Sequence, residues 1–231
     1  MKVHGMMLVR NEADRWLSSV LDQLNLLCDE ITVLDDCSTD ETPVLCELKG
    51  ADVFESKIQR WNTDELSQRK KLWEITTSKC NMNDWIICLD ADELFVNEHI
   101  SYIKYVLKTA SNNIDAMGFR LHDMWSDTHY RDDAWWMAHL FYWPMAVRYQ
   151  PSEHTYEWHN KTLHCGRFPA DGAKHMLPTQ IPIKHMGWST KEDRQRKYDR
   201  YMEIDPLGKN GILAQYKSIL DENPPLLKFE G

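Results

Sequence analysis

The chain has 231 residues, enough for one well-filled domain, and its 42% hydrophobic and 27% charged residues are ordinary for a globular protein. The formal net charge of −9 argues against a general nucleic-acid binder, and duplex nucleic acid is not expected as a partner, because such proteins need a basic face. No apolar run approaches the roughly 20 residues that span a bilayer, so no transmembrane segment is expected.

The cysteine and histidine spacings do not predict a zinc protein. The six cysteines form no C-x-x-C pair, and His154, His159 and His164 lie five residues apart, which is not a recognised zinc-ligand spacing. Reduced thiols and an N-terminus, Met1 to Gly5, without the apolar core of a signal peptide favour a cytoplasmic location. If the substrate is lipid-linked, we expect contact with the membrane surface only.

Strands and helices alternate in the first half of the chain. Apolar runs predict strands at residues 3–9, 31–34, 51–55 and 85–89, and helical spacing of apolar side chains predicts helices at residues 13–27 and 63–79. Ser38 and Glu41 fit a capping box that would begin a further helix. Helices of this length between strands predict an α/β fold with a doubly wound, mostly parallel sheet and helices on both faces.

The composition changes after about residue 115. Residues 116–121 predict a strand, and residues 181–183 predict a short edge strand, because Pro182 cannot donate a hydrogen bond to a central ladder. Residues 190–203 and 211–220 predict helices, followed by an extended tail. Between Trp125 and Trp158 the chain is dense in aromatic residues, which pack in cores but also stack on the apolar faces of sugar rings.

Carboxylates follow two of the predicted strands. Asp90, Asp92 and Glu93 end the strand at residues 85–89, and Asp35 and Asp36 end the strand at residues 31–34. Each group could simply begin a helix, where the helix dipole favours carboxylates. However, three carboxylates so close together repel one another without a cation, and Mg²⁺ or Mn²⁺ prefers oxygen ligands together with phosphates. Because ligands bind at the carboxyl ends of strands in open α/β sheets, the two acidic strand ends predict a phosphate-handling site.

Polar residues elsewhere could complete this site. His185 follows a short strand and could complete a metal site with Asp92, although a lone histidine is more often a structural residue. The basic helix at residues 191–200, which includes Lys197, could hold a diphosphate or simply face solvent. The residues that follow the first strand could wall a nucleotide base or cap the next helix, and they are Arg10, Asn11 and Glu12.

Neither G-x-G-x-x-G nor a P-loop motif occurs, so a dinucleotide fold and a P-loop have no direct support. With the residues above in place, about residues 3–95 resemble glycosyltransferase family 2, which has a GT-A fold. Val9-Arg10-Asn11-Glu12 is similar to the first nucleotide-binding loop of the family. The other similar segments are Leu34-Asp35-Asp36-Cys37-Ser38-Thr39-Asp40 (V-D-D-G-S-T-D in the family, with Cys37 replacing glycine), Gln68-Arg69 (often Ala-Arg-Asn), and Leu89-Asp90-Ala91-Asp92 (the D-x-D metal motif).

The resemblance implies a nucleotide-diphosphate sugar donor, with a UDP-sugar as one candidate, a bridging Mn²⁺ or Mg²⁺ cofactor, and inversion at the anomeric carbon. The implied nucleotide-sugar-binding residues are Arg10, Asn11, Glu12, Asp35, Asp36, Arg69, Asp90, Ala91 and Lys197. The implied metal ligands are Asp92, Asp90 and His185. Inversion needs a general base beneath the acceptor hydroxyl, in this family a carboxylate from the second half, and the candidates are Asp133 first, then Glu157 and Asp132.

The prediction is therefore a metal-dependent inverting glycosyltransferase that forms a single GT-A domain over residues 1–231. Residues 1–95 would bind the nucleotide sugar, residues 115–205 would bind the acceptor, and residues 206–231 would form a helix and tail. The acceptor could be a carbohydrate, an envelope precursor, a protein or a modified base. Two alternatives stay open: a nucleotidyltransferase, which usually needs a Gly-rich loop after the first strand, and a non-catalytic carbohydrate-binding protein, which would not need the acidic strand ends.

Overall fold

The computed structural model describes residues 1–161 and 165–231, in which strands and helices alternate as expected in the first half. The strands are β1 (Val3–Val9), β2 (Glu30–Asp35), β3 (Asp52–Glu55), β4 (Trp85–Cys88), β5 (Glu93–Phe95), β6 (Ala116–Asp123), β7 (His129–Arg131), β8 (Trp143–Arg148), β9 (Met176–His185) and β10 (Leu226–Lys228). The helices are α1 (Leu17–Leu27), α2 (Thr42–Leu48), α3 (Glu65–Thr77), α4 (Ile100–Thr109), α5 (Lys191–Ile204) and α6 (Leu213–Ser218).

One eight-stranded sheet includes strands from both halves of the chain, in the order β3-β2-β1-β4-β8-β6-β9-β5. Strands β3, β2, β1 and β4 are parallel to one another, and β6 is parallel to β9. Strand β8 is antiparallel to both β4 and β6, and β5 is antiparallel to β9. The predicted α/β fold is confirmed, with a parallel first half joined to a mixed second half through the β4–β8 ladder.

Helices cover both faces of the sheet, because β1 is apolar on both of its sides. Met7 and Val9 face a cluster that includes α1 and α4, whereas Met6 and Leu8 face a cluster that includes Leu72 and Trp73 of α3. The buried residues of α1 recur three and four positions apart, so one face of this helix lies in the core. Among the helices of the described residues, none is both long and apolar enough to cross a bilayer.

Two local predictions are wrong at helix starts. Helix α1 begins at Leu17 rather than at residue 13, because residues 13–16 form a turn that follows Asn11, which has a φ of +52°. Helix α2 begins at Thr42, so Ser38 and Glu41 do not form the predicted capping box. The Ser38 hydroxyl instead accepts a hydrogen bond of 2.9 Å from the Asn11 amide, which joins the loops after β2 and β1.

The prediction of an edge strand at residues 181–183 is also wrong, because β9 has neighbours on both sides. Pro182 is tolerated there for two reasons. Pairing with β5 begins only at Ile183, and the ladder to β6 is irregular between Gly118 and Arg120, so the missing amide hydrogen falls where pairing is incomplete. The predicted extended tail includes β10, which pairs with β7 in a second, two-stranded sheet.

Candidate functional site

A cleft of about 480 Å³ lies beyond the carboxyl ends of β1 and β4, with side chains of α5 on its opposite side. Its charged lining comprises six Arg or Lys residues and four Asp or Glu residues. They are Arg10, Arg15, Arg69, Arg196, Lys197 and Arg200, with Glu12, Glu65, Asp90 and Asp92. This excess of cations, in a protein whose net charge is −9, makes the cleft suitable for an anionic ligand.

Asp90 lies at the end of β4 between two guanidinium groups. Its Oδ1 accepts a hydrogen bond of 3.0 Å from Arg69, and its Oδ2 lies 3.3 Å from Arg167 Nη2. Burial opposes ionisation of this carboxyl, but the charges of Arg167 and Arg69 outweigh it and lower the pKa of Asp90. Asp90 is therefore an anion whose two oxygens are already paired with cations.

Glu93 is fully buried at the start of β5, where its carboxylate holds Arg167 in place. Arg167 Nη1 and Nη2 donate hydrogen bonds of 2.6 Å and 2.5 Å to the two carboxylate oxygens, and the Asp90 amide donates a third of 2.9 Å. Burial raises the pKa of Glu93, although the Arg167 charge opposes this. Glu93 thus stabilises the loop around the acidic motif and positions the arginine that pairs with Asp90.

Asp92 and His185 meet because β5 and β9 bring the loop after β4 next to the end of β9. His185 Nε2 lies 3.6 Å from Asp92 Oδ1, and the Asp92 carbonyl accepts a 2.7 Å hydrogen bond from the Met186 amide. The other ring nitrogen, His185 Nδ1, lies 2.7 Å from Asp123, its neighbour in register at the end of β6. Nε2 therefore faces Asp92, in the pattern by which an outer carboxylate orients a metal-binding imidazole.

The ammonium group of Lys197 completes this cluster. Its Nζ lies 3.1 Å from Asp92 Oδ2 and 3.3 Å from His185 Nε2. Burial would raise the pKa of Asp92, but the charges of Lys197 and His185 hold it well below its usual range. Burial and the Lys197 charge would lower the pKa of His185, yet the Asp92 charge and the hydrogen bond to Asp123 raise it to about 9.

The side chains of Asp92 and His185 fit a divalent ion, since a carboxylate and an oriented imidazole are suitable metal ligands. The surroundings are close-packed: a Cβ at Gly187 would lie 2.1 Å from both Asp92 Oδ2 and Lys197 Nζ. Within residues 1–161 and 165–231, no cluster of three or more Asp, Glu, His or Cys side chains is positioned to hold a metal ion by itself. Asp90, the third predicted ligand, is turned toward arginines, so phosphate oxygens or water would have to supply the remaining ligands.

The loops after β1 and β2 are held together by polar contacts. Arg10 Nη1 donates hydrogen bonds of 2.6 Å to the carbonyls of Asp36 and Cys37, and Asn11 Oδ1 accepts one of 2.8 Å from the Thr39 amide. Cys37 has a φ of +59°, a conformation that costs a non-glycine residue about 1–2 kcal/mol. Its thiol donates to the Ser56 carbonyl at 3.0 Å. Arg10 and Asn11 line the cleft, so these loops form one of its walls.

Asp35 and Asp36 are buried below this wall rather than exposed in the cleft. The Asp36 carboxylate accepts hydrogen bonds from the amides of Arg60 (2.9 Å) and Trp61 (2.6 Å) and from the Gln68 side chain (2.8 Å). One oxygen of Asp35 accepts the Ser38 amide at 2.8 Å. In this structure Asp36 therefore fixes the segment that presents Trp61 to the cleft.

Glu12 forms a close ion pair with Arg15, whose Nη1 donates hydrogen bonds of 2.7 Å and 2.6 Å to its two oxygens. Burial raises the pKa of Glu12 to about 7, even though the Arg15 charge opposes the shift. Arg15 also lies 3.1 Å from Asp193 of α5 and 4.0 Å from Asp92. This arginine thus connects the first loop, the acidic motif and the basic helix.

The three candidates for the general base lie outside the cleft lining described above. Asp132 pairs with His139 at 3.3 Å, and Glu157 is exposed in a separate surface pocket. Asp133 accepts a hydrogen bond of 2.6 Å from Arg131 and is bridged to Trp136. The Trp136 ring in turn lies 4.9 Å from Trp188, which lines the cleft, so Asp133 is linked to the cleft by aromatic packing.

The aromatic-rich region divides between core and surface. Trp125, Trp136 and Trp188 form a buried cluster with Tyr216, whereas Trp143 remains 43% exposed. Only part of this region is therefore available for stacking on a sugar.

Of the three evenly spaced histidines, His164 lies outside the described residues. His154 lies beside Asp115, with Nε2 3.8 Å from Oδ2, and His159 is exposed.

Several residues at or near the cleft were not predicted as site residues. Asp123 follows a predicted strand and could have been found by the same strand-end rule that identified Asp90 and Asp92. Arg15 follows Glu12 at helical spacing, but no local pattern marks it. Arg167 and Trp61 also have no local signal. Arg200 lies in the predicted basic helix, but its position 5.2 Å from the Trp61 ring joins segments that are 139 positions apart.

Comparison with known proteins identifies the fold and the family. The model for glycosyl transferase family 2 matches residues 9–168. An uncharacterized protein of Mycobacterium tuberculosis is 28% identical over 207 residues, which cover 85% of this chain and 49% of the relative, so the chain spans about half of that protein. An uncharacterized glycosyltransferase of Rickettsia felis is 32% identical over 114 residues, or 49% of this chain and 36% of the relative.

Solved structures with the same fold include glucosyl-3-phosphoglycerate synthase from Mycobacterium tuberculosis. Its complex with phosphoglyceric acid has a TM-score of 0.53 at 14% identity, covering 91% of this chain and 82% of that one. Its complex with Mn²⁺, UDP and glucosyl-3-phosphoglycerate has a TM-score of 0.51 over the same shares. Since the family model also covers more than half of the chain, this protein belongs to glycosyltransferase family 2 and has a GT-A fold.

Proposed function

We propose that this protein transfers a sugar from a nucleotide-diphosphate sugar to an acceptor hydroxyl, with inversion and with Mn²⁺ or Mg²⁺ as cofactor. The observation that supports this most directly is the cleft at the carboxyl ends of β1 and β4. There, six Arg or Lys side chains surround the Asp92–His185 pair. Such a site matches a ligand that combines a diphosphate with a divalent ion.

The comparisons support the nature of the donor. The synthase of the same fold was solved with Mn²⁺ and UDP, which favours a UDP-sugar as donor here. Membership of a glycosyltransferase family also favours sugar transfer over the alternatives of nucleotidyl transfer and non-catalytic carbohydrate binding. The acceptor is a carbohydrate, an envelope precursor, a protein or a modified base.

The chain's own residues divide the work in this proposal. Asp92 and His185, with Asp90 as an indirect contact, would hold the ion, which would supply positive charge to offset that of the departing diphosphate. Lys197 binds a phosphate oxygen, and Arg69 keeps Asp90 ionised for a contact with the ribose. The residues proposed to surround the nucleoside and sugar are Arg10, Asn11, Glu12 and Ala91. Asp35 and Asp36 would support this wall from below through their hydrogen bonds to the Ser38 and Trp61 amides.

Asp133 is the proposed general base, with Glu157 and Asp132 as the alternatives. Asp133 would accept the proton of the acceptor hydroxyl once the acceptor has displaced Arg131 from its carboxylate. Asp133→Asn is expected to lose turnover with little change in donor binding. Undiminished turnover in this variant would exclude Asp133, and Glu157→Gln and Asp132→Asn would then be compared in the same assay.

Calorimetry against a panel of nucleotide sugars, with and without Mn²⁺, tests the donor proposal. We expect a UDP-sugar to bind only with the metal, and Asp92→Ala to abolish this binding. Asp52→Ala is the matched control, because Asp52 is an exposed carboxylate on β3 that forms a salt bridge with Lys79, away from the cleft lining. If the wild-type protein binds no nucleoside diphosphate under any of these conditions, the proposed function is wrong. Release of a nucleoside diphosphate rather than pyrophosphate would distinguish sugar transfer from nucleotidyl transfer.

A further inference from the structure

The position of Lys197 has a consequence for metal binding. Its ammonium lies 3.1 Å from Asp92 Oδ2 and 3.3 Å from His185 Nε2, between the two proposed ligands of the divalent ion. It also lies 4.2 Å from the Trp188 ring centroid, so an aromatic face stabilises its charge from another side. A cation therefore already occupies the place where the ion would bridge Asp92 and His185.

The backbone of Gly187 lies against one side of this contact. A Cβ at Gly187 would lie 2.1 Å from both Lys197 Nζ and Asp92 Oδ2, so the backbone closes the cluster on that side. Divalent ions bind carboxylate and imidazole atoms at about 2.0–2.2 Å, much closer than the ammonium lies now. An ion at that distance would face the Lys197 charge at short range in a largely buried cluster, where repulsion is strong.

We propose that Lys197 competes with the divalent ion for Asp92, so that the donor-free protein binds Mn²⁺ weakly. This inference rests on the proposed function for its second step. A diphosphate in the cleft offers the ammonium new oxygen partners, and the flexible stem of the lysine allows Nζ to move to them. Lys197 then leaves Asp92 to the ion, and the diphosphate and the ion bind cooperatively.

Titration of the full chain with Mn²⁺ alone, followed by the electron paramagnetic resonance signal of free Mn²⁺, tests the competition. We expect Lys197→Met to bind Mn²⁺ at least about tenfold more tightly than wild type, and Lys197→Gln to do the same if the methionine variant folds poorly. Lys191→Met is the control, because Lys191 is exposed at the start of the same helix. Its affinity for Mn²⁺ should equal that of wild type.

Addition of UDP to the same titrations tests the second step. UDP should strengthen Mn²⁺ binding more in wild type than in Lys197→Met, since the variant has no ammonium to displace. Equal Mn²⁺ affinity of wild type and both Lys197 variants without UDP would overturn the inference, and so would an absence of Mn²⁺ binding in all of them. Neither result decides the proposed function, which fails only if nucleoside diphosphates do not bind. In that event, tighter binding of Mn²⁺ alone by the variants would still support the competition.

Discussion

Replacement of Arg167 by methionine provides a strong test of the buried charge cluster. The substitution removes two short hydrogen bonds from Glu93, which is 0% exposed and keeps only the Asp90 amide as a partner among those described above. Breaking a buried ion pair from one side typically costs about 3–5 kcal/mol, because an unpaired charge is left behind. We therefore expect Arg167→Met to lower the free energy of unfolding by about that amount near neutral pH.

The stability lost in Arg167→Met should increase with pH. The pKa of Glu93 is already raised by burial, and loss of the Arg167 charge must raise it further. A carboxyl with a raised pKa in the folded state is tolerated while protonated and becomes destabilising as pH rises through that pKa. Urea unfolding should consequently show a smaller penalty for Arg167→Met in mildly acidic than in mildly alkaline buffer.

A double-mutant cycle supplies the control for this prediction. In Arg167→Met with Glu93→Gln, the unpaired charge is absent, so the double variant should be more stable than Arg167→Met alone by at least about 1 kcal/mol. A loss below about 1 kcal/mol in Arg167→Met, or a penalty that does not change with pH, would refute the description of Glu93 as a buried anion that depends on Arg167.

Two further predictions concern the Asp92 cluster. Gly187→Ala places a Cβ 2.1 Å from Asp92 Oδ2 and Lys197 Nζ, and should weaken nucleotide-sugar binding at least about tenfold in calorimetry, with the fold retained by circular dichroism. Asp92 and Asp123 raise the pKa of His185 to about 9, although burial opposes this shift. The ion pairs of His185 therefore stabilise the fold fully below about pH 6.5, and this stabilisation is lost as pH rises through 9. Over that range, the free energy of unfolding of wild type should fall by up to about 3 kcal/mol relative to that of His185→Gln. Urea-unfolding profiles that stay parallel with pH would contradict this prediction.

The first half of the fold was predictable because three of its strands, β1, β2 and β4, are buried on both faces. The segments that became β1 and β4 are continuous apolar runs bounded by polar residues, which is the pattern of internal parallel strands. Strand β8 was missed because its sequence, WPMAVR, contains proline and lies in a region that composition alone marks only as aromatic. Strand β9 was only partly predicted, since Pro178 and Pro182 obscure its ten-residue length.

The site was predictable to the extent that strand ends determine it. Asp90 and Asp92 follow β4 directly, and His185 ends β9, so the topology alone brings them to one edge of the sheet. Contacts between distant segments are different: 74 positions separate Arg167 from Glu93, and no local spacing specifies that pair. The same limit explains why Asp36 could be identified at a strand end while its partners, the amides of residues 60 and 61, could not.

Net charge and local charge lead to different conclusions about ligands in this protein. A formal charge of −9 opposes a long polyanion, which must contact an extended surface. A nucleotide sugar is short, and beyond about 8 Å its repulsion by distant carboxylates is largely screened at physiological ionic strength. Inside the cleft, six Arg or Lys residues face four carboxylates, and each of these carboxylates is itself paired with a cation. A net charge that opposes a long polyanion therefore does not oppose a diphosphate, because a short anion would meet the charges of the cleft and not those of the whole surface.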